Sequence, residues 1–183
     1  MQALDSKTNN SLIIPAFISL SLAPILLIGF ISQQMGDAFW SPLRSWLLHI
    51  GQTGLGGMQS KTLANTAMVT FSYIQLSTPF YFFGFIHLIK KHFVINIKEL
   101  GKLSWKRCIL SLSLISGLLA FMVYITYFDG SSLELAAPMI RAAATKPILY
   151  SLLAACHAAV FHFIAFLSYI SLIVQPLYLI KRG

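Results

Sequence analysis

Four stretches of this chain run for about twenty residues or more without any Asp, Glu, Lys or Arg. They cover residues 11–32, 64–89, 108–128 and 147–180. A helix needs about twenty apolar residues to cross the hydrocarbon core of a bilayer, and only helices or closed barrels satisfy their backbone polar groups there. Only 10% of the residues are charged, against about a quarter in soluble domains. We therefore predict an all-α integral membrane protein, a four-helix transmembrane bundle forming one domain over residues 1–183.

The basic residues predict how this bundle is oriented. Short loops rich in Lys and Arg stay in the cytoplasm, and the segment between the second and third spans is the most basic one. Its basic residues are Lys90, Lys91, Lys98, Lys102, Lys106 and Arg107. Lys7, Lys181 and Arg182 fall on the same side when four spans are counted. We therefore expect both termini in the cytoplasm, a first span that is retained, and anionic lipid as a partner of the basic loop. Nucleic acid is not expected, because aromatic base-stacking platforms are absent.

The opposite side holds two loops, at about 33–63 and 129–146. The first contains "AFWSPLRSWLLHI", in which Trp40, Leu43, Trp46, Leu47 and Ile50 recur at helical spacing. This pattern predicts a short interfacial helix over about 38–50, with its tryptophans at headgroup depth. The "GQTGLGG" that follows at 51–57 is typical of a flexible break.

Small residues recur four apart in the last two spans. In the third span the pairs are Ser113 with Gly117 and Ser116 with Ala120; in the fourth, one stripe contains Ser151, Ala155 and Ala159. Small side chains let membrane helices approach closely. We expect the third and fourth spans to pack tightly together. A groove for a partner's helix would use the same residues.

No catalytic or cofactor chemistry is expected. No Ser/His/Asp grouping, metal-ligand spacing or phosphate loop is present, so we predict a protein that is not an enzyme and has no cofactor. His157 and His162 lie on one span and differ in depth from His87, so no pair brackets a haem. They are interpreted as buried polar residues that bond across helices or reach a cavity. No carboxylate or ammonium group lies within a span, which gives transport little support.

Four segments together resemble the immunity proteins of pore-forming colicins, specifically the colicin A type. "TNNSLIIPAFISLSLAPILLIGF" is similar to that family's polar lead and first span. "STPFYFFGFIHLIKKHF" is similar to its second span with a basic exit, "LELAAPMIRAAATKPILYSLL" to its outer loop and last span, and "LIKRG" to its basic tail. The first outer loop, residues 33–63, is poorly matched.

The resemblance implies a bacterial inner-membrane protein that binds the pore-forming domain of a bacteriocin and blocks its channel. The candidate contact residues are Asp129, Glu134, Arg141 and Lys146 outside the bilayer, and Ser151, Ala155 and Ala159 within it. The alternative is a small membrane-anchor or accessory subunit of a respiratory or transport complex, with or without haem.

Overall fold

The computed structural model describes residues 12–50, 58–92, 104–136 and 138–182. Within these ranges there is no β-strand, and an isolated bridge joins Gln59 to Ser132. The α-helices are α1 Ile13–Met35, α2 Ser41–His49, α3 Ala64–His92, α4 Trp105–Tyr127, α5 Pro138–Arg141, α6 Pro147–Tyr169 and α7 Gln175–Arg182. Short 3-10 turns occur at Asp37–Trp40, Leu133–Leu135 and Ala142–Ala144, and a π-helical turn, Ile170–Val174, joins α6 to α7.

The predicted all-α class and the positions of the long helices are confirmed. Among the described residues, three helical segments are long and apolar enough to cross a membrane: α1, α4 and Pro147–Ile180. Helix α3 is 29 residues long, but it carries polar residues such as Asn65 and Gln75 and is not among the three. The predicted break at 51–57, the predicted cytoplasmic N-terminus with Lys7, and Lys98 and Lys102 of the basic loop lie outside the described residues.

The core of the bundle lies between α1, α3 and α6. Ile25 of α1, Ile74 of α3, and Tyr150 and Ala154 of α6 are all fully or almost fully buried in one cluster. Ala154, Ala155 and Ala158 place little more than a methyl group between helix backbones, so α6 can lie close to both of its neighbours. The small residues of the fourth predicted span therefore make α6 the central helix.

The connection between α1 and α3 is held by the carboxylate of Asp37. Helix α1 ends at Met35, and the φ of 81° at the next residue, Gly36, suits a residue without a side chain. Asp37 then accepts hydrogen bonds from the backbone N–H groups of Asn65 (3.2 Å) and Thr66 (2.8 Å). These are free N–H groups at the start of α3, so the acid caps that helix and satisfies its positive end. The contact places the end of α1 beside the beginning of α3.

Helix α2 and the preceding turn lie where the sequence predicts a short helix, and the position of that helix at a membrane interface stays a prediction. Leu47 is buried against Ile28, Met68 and Val69, so α2 packs on the bundle along one edge. The Trp40 indole N–H donates to Ser32 Oγ at 2.7 Å. The other apolar residues of the predicted stripe stay exposed; they are Leu43, Trp46 and Ile50. Because of these contacts, the five residues do not share one face toward lipid.

Candidate functional site

Helix α4 is the most exposed of the long helices. In its most apolar 18-residue stretch, 11% is buried, against 33% for the corresponding stretch of the Pro147–Ile180 segment. The four small residues singled out in the sequence are all exposed; they are Ser113, Ser116, Gly117 and Ala120. A Cβ atom built on Gly117 would meet no atom within 4 Å. The expectation that these residues pack against the fourth span is therefore wrong.

The contact between α4 and α6 is made by larger side chains. Met122 of α4 is buried with Phe161 and Ile164 of α6, and Leu119 packs at the edge of this cluster. Because these residues lie on the opposite side of α4 from Gly117, the small-residue face points away from the bundle. We call the surface formed by Ser113, Ser116, Gly117 and Ala120 the α4 face. Beside it lies an open apolar groove of about 800 Å³, lined by α4 residues including Leu114 and Phe121 and by Leu167.

The small-residue stripe of α6 has the opposite environment. Ser151 is 1% exposed and Ala155 is 8% exposed, and Ala159 is half-buried. Gly29 of α1 lies against this stripe, because a Cβ atom there would overlap the Ser151 side chain and come within 2.9 Å of the Pro147 carbonyl oxygen. Ser151 and Ala155 therefore lie inside the bundle rather than on its surface, and their contact with a partner stays a prediction.

Hydrogen bonds tie the end of α4 to α3. Pro79 lies inside α3 and has no N–H group, so the carbonyl of Gln75, four residues earlier, loses its helical donor. The Tyr127 hydroxyl donates to that carbonyl oxygen at 2.7 Å. In return, the Gln75 side-chain amide donates to the carbonyl of Thr126 at 2.8 Å, close to the end of α4. Each helix thus supplies a side-chain donor to a backbone carbonyl of the other helix that has no donor within its own helix.

The two histidines of α6 form hydrogen bonds to two different helices. This agrees with their interpretation from the sequence as buried polar residues that bond across helices. His157 Nε2 lies 2.8 Å from Thr126 Oγ1 of α4, and His162 Nε2 lies 2.9 Å from Ser21 Oγ of α1. The imidazole of His162 is also surrounded by the rings of Phe17, Tyr81 and Phe85. Both side chains therefore link helices within the bundle.

The charged residues predicted to contact a partner lie at the end of the bundle where α4 ends and α6 begins. Asp129 is half-buried and accepts from the Ser131 N–H at 3.1 Å and the Ser131 hydroxyl at 2.9 Å. Arg141 and Lys146 are exposed, and Arg141 Nη2 donates to the Ala136 carbonyl at 3.2 Å. The side chain of Glu134 lies outside the described part of the chain. Arg141 and Lys146 are the members of this group that stay accessible.

Sequence reasoning missed the network around Asp37 and Arg44. Thr66 Oγ1 donates to Asp37 at 2.6 Å, and Arg44 Nη1 donates to Asn65 Oδ1 at 3.1 Å. An Asp after a helix-ending Gly, with Asn and Thr at the start of the next helix, was the available signal. The sequence alone does not show that these residues are close, because Asp37 and Thr66 are 29 residues apart along the chain.

No family model, curated protein or solved structure matches this chain.

Proposed function

We propose that this protein is an immunity protein of the bacterial inner membrane, which binds the pore-forming domain of a colicin A-type bacteriocin and prevents its channel from conducting. The sequence resemblance described above supports the proposal. The observation that carries it is the α4 face. Small exposed residues on a membrane helix allow another helix to approach closely, and the pore-forming domain of such a toxin enters the membrane as helices. Ser113, Gly117 and their neighbours would receive one of those helices.

The proposal includes four membrane spans, α1, α3, α4 and the α6–α7 segment, with both termini in the cytoplasm. Helix ends that this topology puts on one side are close together: Asp37 binds the start of α3, the Gln59 carbonyl accepts from Leu133 N–H at 2.9 Å, and the Tyr150 hydroxyl donates to the Met58 carbonyl at 2.9 Å. The basic exit of α3, with Lys90 and Lys91, then belongs to the cytoplasmic side.

Arg141 and Lys146 would add specificity at the outer end. Both are exposed and lie beyond the apolar part of α6, where a toxin arriving from the periplasm would meet them first. Exposed charges at an interface affect association rate and partner choice more than affinity. We therefore assign toxin recognition to these charges and channel blocking to the α4 face.

The test is survival of a sensitive bacterium that expresses the chain and is challenged with a panel of pore-forming colicins, while membrane potential is recorded. Wild-type protein should prevent depolarisation by one toxin of the panel. Gly117→Leu should abolish protection, because the side chain would occupy the space that a partner helix needs. Ala23→Leu is the matched control, since Ala23 is a small exposed residue on α1, and it should protect normally.

One result would contradict only the proposed contact site, and another would contradict the immunity function itself. Protection that survives Gly117→Leu would move the contact away from the α4 face but keep the immunity function. No protection against any toxin, together with a co-purifying redox subunit or a Soret band, would favour the anchor-subunit alternative. Immunoblots of membrane fractions must show equal amounts of each variant.

A further inference from the structure

An open cavity of about 180 Å³ lies at the end of the bundle where α2 meets the start of α3. Its walls are formed by Arg44 and Leu48 of α2, by Gln59 and Ser60 of the following segment, and by the first turns of α3. The lining is about equally polar and apolar, and Arg44 is its charged member. No residue of α4 lines this cavity, and the cavity has no role in the function proposed above.

The guanidinium of Arg44 is held in place but incompletely satisfied. Nη1 donates to Asn65 Oδ1 at 3.1 Å, and the Asn65 side-chain amide in turn donates to the Asp37 carbonyl oxygen at 3.2 Å. Nε of Arg44 is buried and has no hydrogen-bond partner among the described residues. Leaving a buried donor of a charged group without an acceptor is costly, so this site favours a ligand that brings an anionic oxygen.

The neighbouring polar groups are already engaged by the protein itself. Ser60 Oγ donates to the Ala144 carbonyl at 2.8 Å and accepts from Leu63 N–H at 2.9 Å. The carboxylate of Asp37 accepts from the start of α3. These contacts give Arg44 a fixed orientation, and no carboxylate in the described part of the chain pairs with it.

The surroundings of Arg44 on α2 are apolar and exposed. Leu43, Trp46 and Leu48 of this short helix, and Ile50 directly after it, are 38–55% exposed. Exposed tryptophan and leucine beside a cation match the boundary of a bilayer, where lipid phosphates adjoin glycerol and acyl chains. A phosphate reaching Arg44 from that boundary could keep its acyl chains against these side chains.

We propose that this cavity binds a phosphate group with Arg44 as its principal donor, and that the group belongs to the headgroup of an anionic membrane phospholipid. The planar guanidinium suits phosphate because its N–H groups can donate in parallel to two oxygens. This site is separate from the basic loop between α3 and α4, for which the sequence predicts diffuse attraction to anionic lipid. Binding here would be stoichiometric.

The experiment uses the full chain in detergent, first exchanged into nanodiscs of phosphatidylglycerol or of phosphatidylcholine and then examined by native mass spectrometry. Wild type should retain one phosphatidylglycerol molecule and at least tenfold less phosphatidylcholine. Arg44→Gln should reduce that retention by about tenfold or more. Arg44→Lys should retain an intermediate amount of lipid, because lysine keeps the positive charge but cannot donate two parallel hydrogen bonds. Arg141→Gln is the matched control, an exposed arginine at the same end, and should retain lipid as wild type does.

A second arm distinguishes the source of the phosphate. Inorganic phosphate is titrated into delipidated wild type and Arg44→Gln while thermal unfolding is followed. A phosphate-dependent rise in Tm that requires Arg44, without retained lipid, would support the site with free phosphate as its ligand. Equal lipid retention by wild type and Arg44→Gln, or no retention and no phosphate effect, would overturn the proposal. If Arg44→Gln does not fold, the wild-type lipid preference and the Arg44→Lys variant decide.

Discussion

Helices α4 and α6 present the same sequence pattern in opposite environments. Each is apolar and carries small residues four apart, yet Ser151 of α6 is buried against Gly29 while Gly117 of α4 faces open space. The difference comes from the helices available to pack on them. Helix α6 lies between α1 and α3, whereas α4 meets the bundle along one edge. Small residues therefore allow close packing, but whether a partner is present depends on the rest of the fold.

The largest expected difference comes from replacing each of the two glycines, Gly29 and Gly117, with alanine. Gly29→Ala should lower the free energy of unfolding by about 1–3 kcal/mol, because the new Cβ overlaps Ser151 and the chain must shift. Gly117→Ala should leave it unchanged or raise it by up to about 1 kcal/mol, because alanine is the better helix former and the Cβ meets nothing. SDS titration followed by circular dichroism would measure both. Equal effects would mean that α1 and α6 are not in close contact.

A second pair contrasts two aspartates, one that caps α3 and one in a loop. Asp37→Ala removes acceptors for two backbone N–H groups and the Thr66 hydroxyl, and it should cost about 1–2 kcal/mol. Asp129→Ala removes only local bonds to Ser131 and should change stability by less than about 0.5 kcal/mol. The same titration serves as the measurement. A smaller effect at Asp37 than at Asp129 would refute the capping role.

A third prediction tests how α4 is attached to the bundle. Tyr127→Phe removes the donor to the Gln75 carbonyl and should cost about 1 kcal/mol. In the Pro79→Ala background the carbonyl regains a helical N–H donor, so the same change should cost less. The double-mutant cycle should therefore show coupling of about 0.5 kcal/mol or more between Tyr127 and Pro79. Additive effects would mean that the hydroxyl does not compensate for the proline.

The smallest expected effect concerns the two tryptophans near α2. Trp40→Phe keeps an aromatic ring but loses the indole N–H that donates to Ser32, so it should cost about 0.5–1 kcal/mol. Trp46 is 55% exposed, and Trp46→Phe should leave the free energy of unfolding within about 0.5 kcal/mol of wild type. A water-soluble quencher should also reduce the fluorescence of Trp40 less than that of Trp46. Identical quenching of the two residues would contradict the buried contact.

The helical class and the positions of the long helices follow from the amino-acid sequence alone. Long uncharged apolar runs leave a chain few alternatives, because the backbone must satisfy its own hydrogen bonds wherever water is excluded. For this reason the predicted spans 64–89 and 108–128 lie within a few residues of α3 and α4. Glycine, proline and polar residues mark the ends of such runs locally, so no long-range information was needed.

Which helix faces are buried, and which polar groups meet, depends on how the helices pack in the folded chain. The stripe at Ser151 and the stripe at Ser113 are equivalent as sequence, and the choice between them depends on helices far away along the chain. The same holds for the Tyr127 contact with the Gln75 carbonyl and for the link between Arg44 and Asn65. Periodicity describes one helix at a time, whereas packing is a property of several helices together. The α4 face and the Arg44 cavity therefore became visible only in the folded chain.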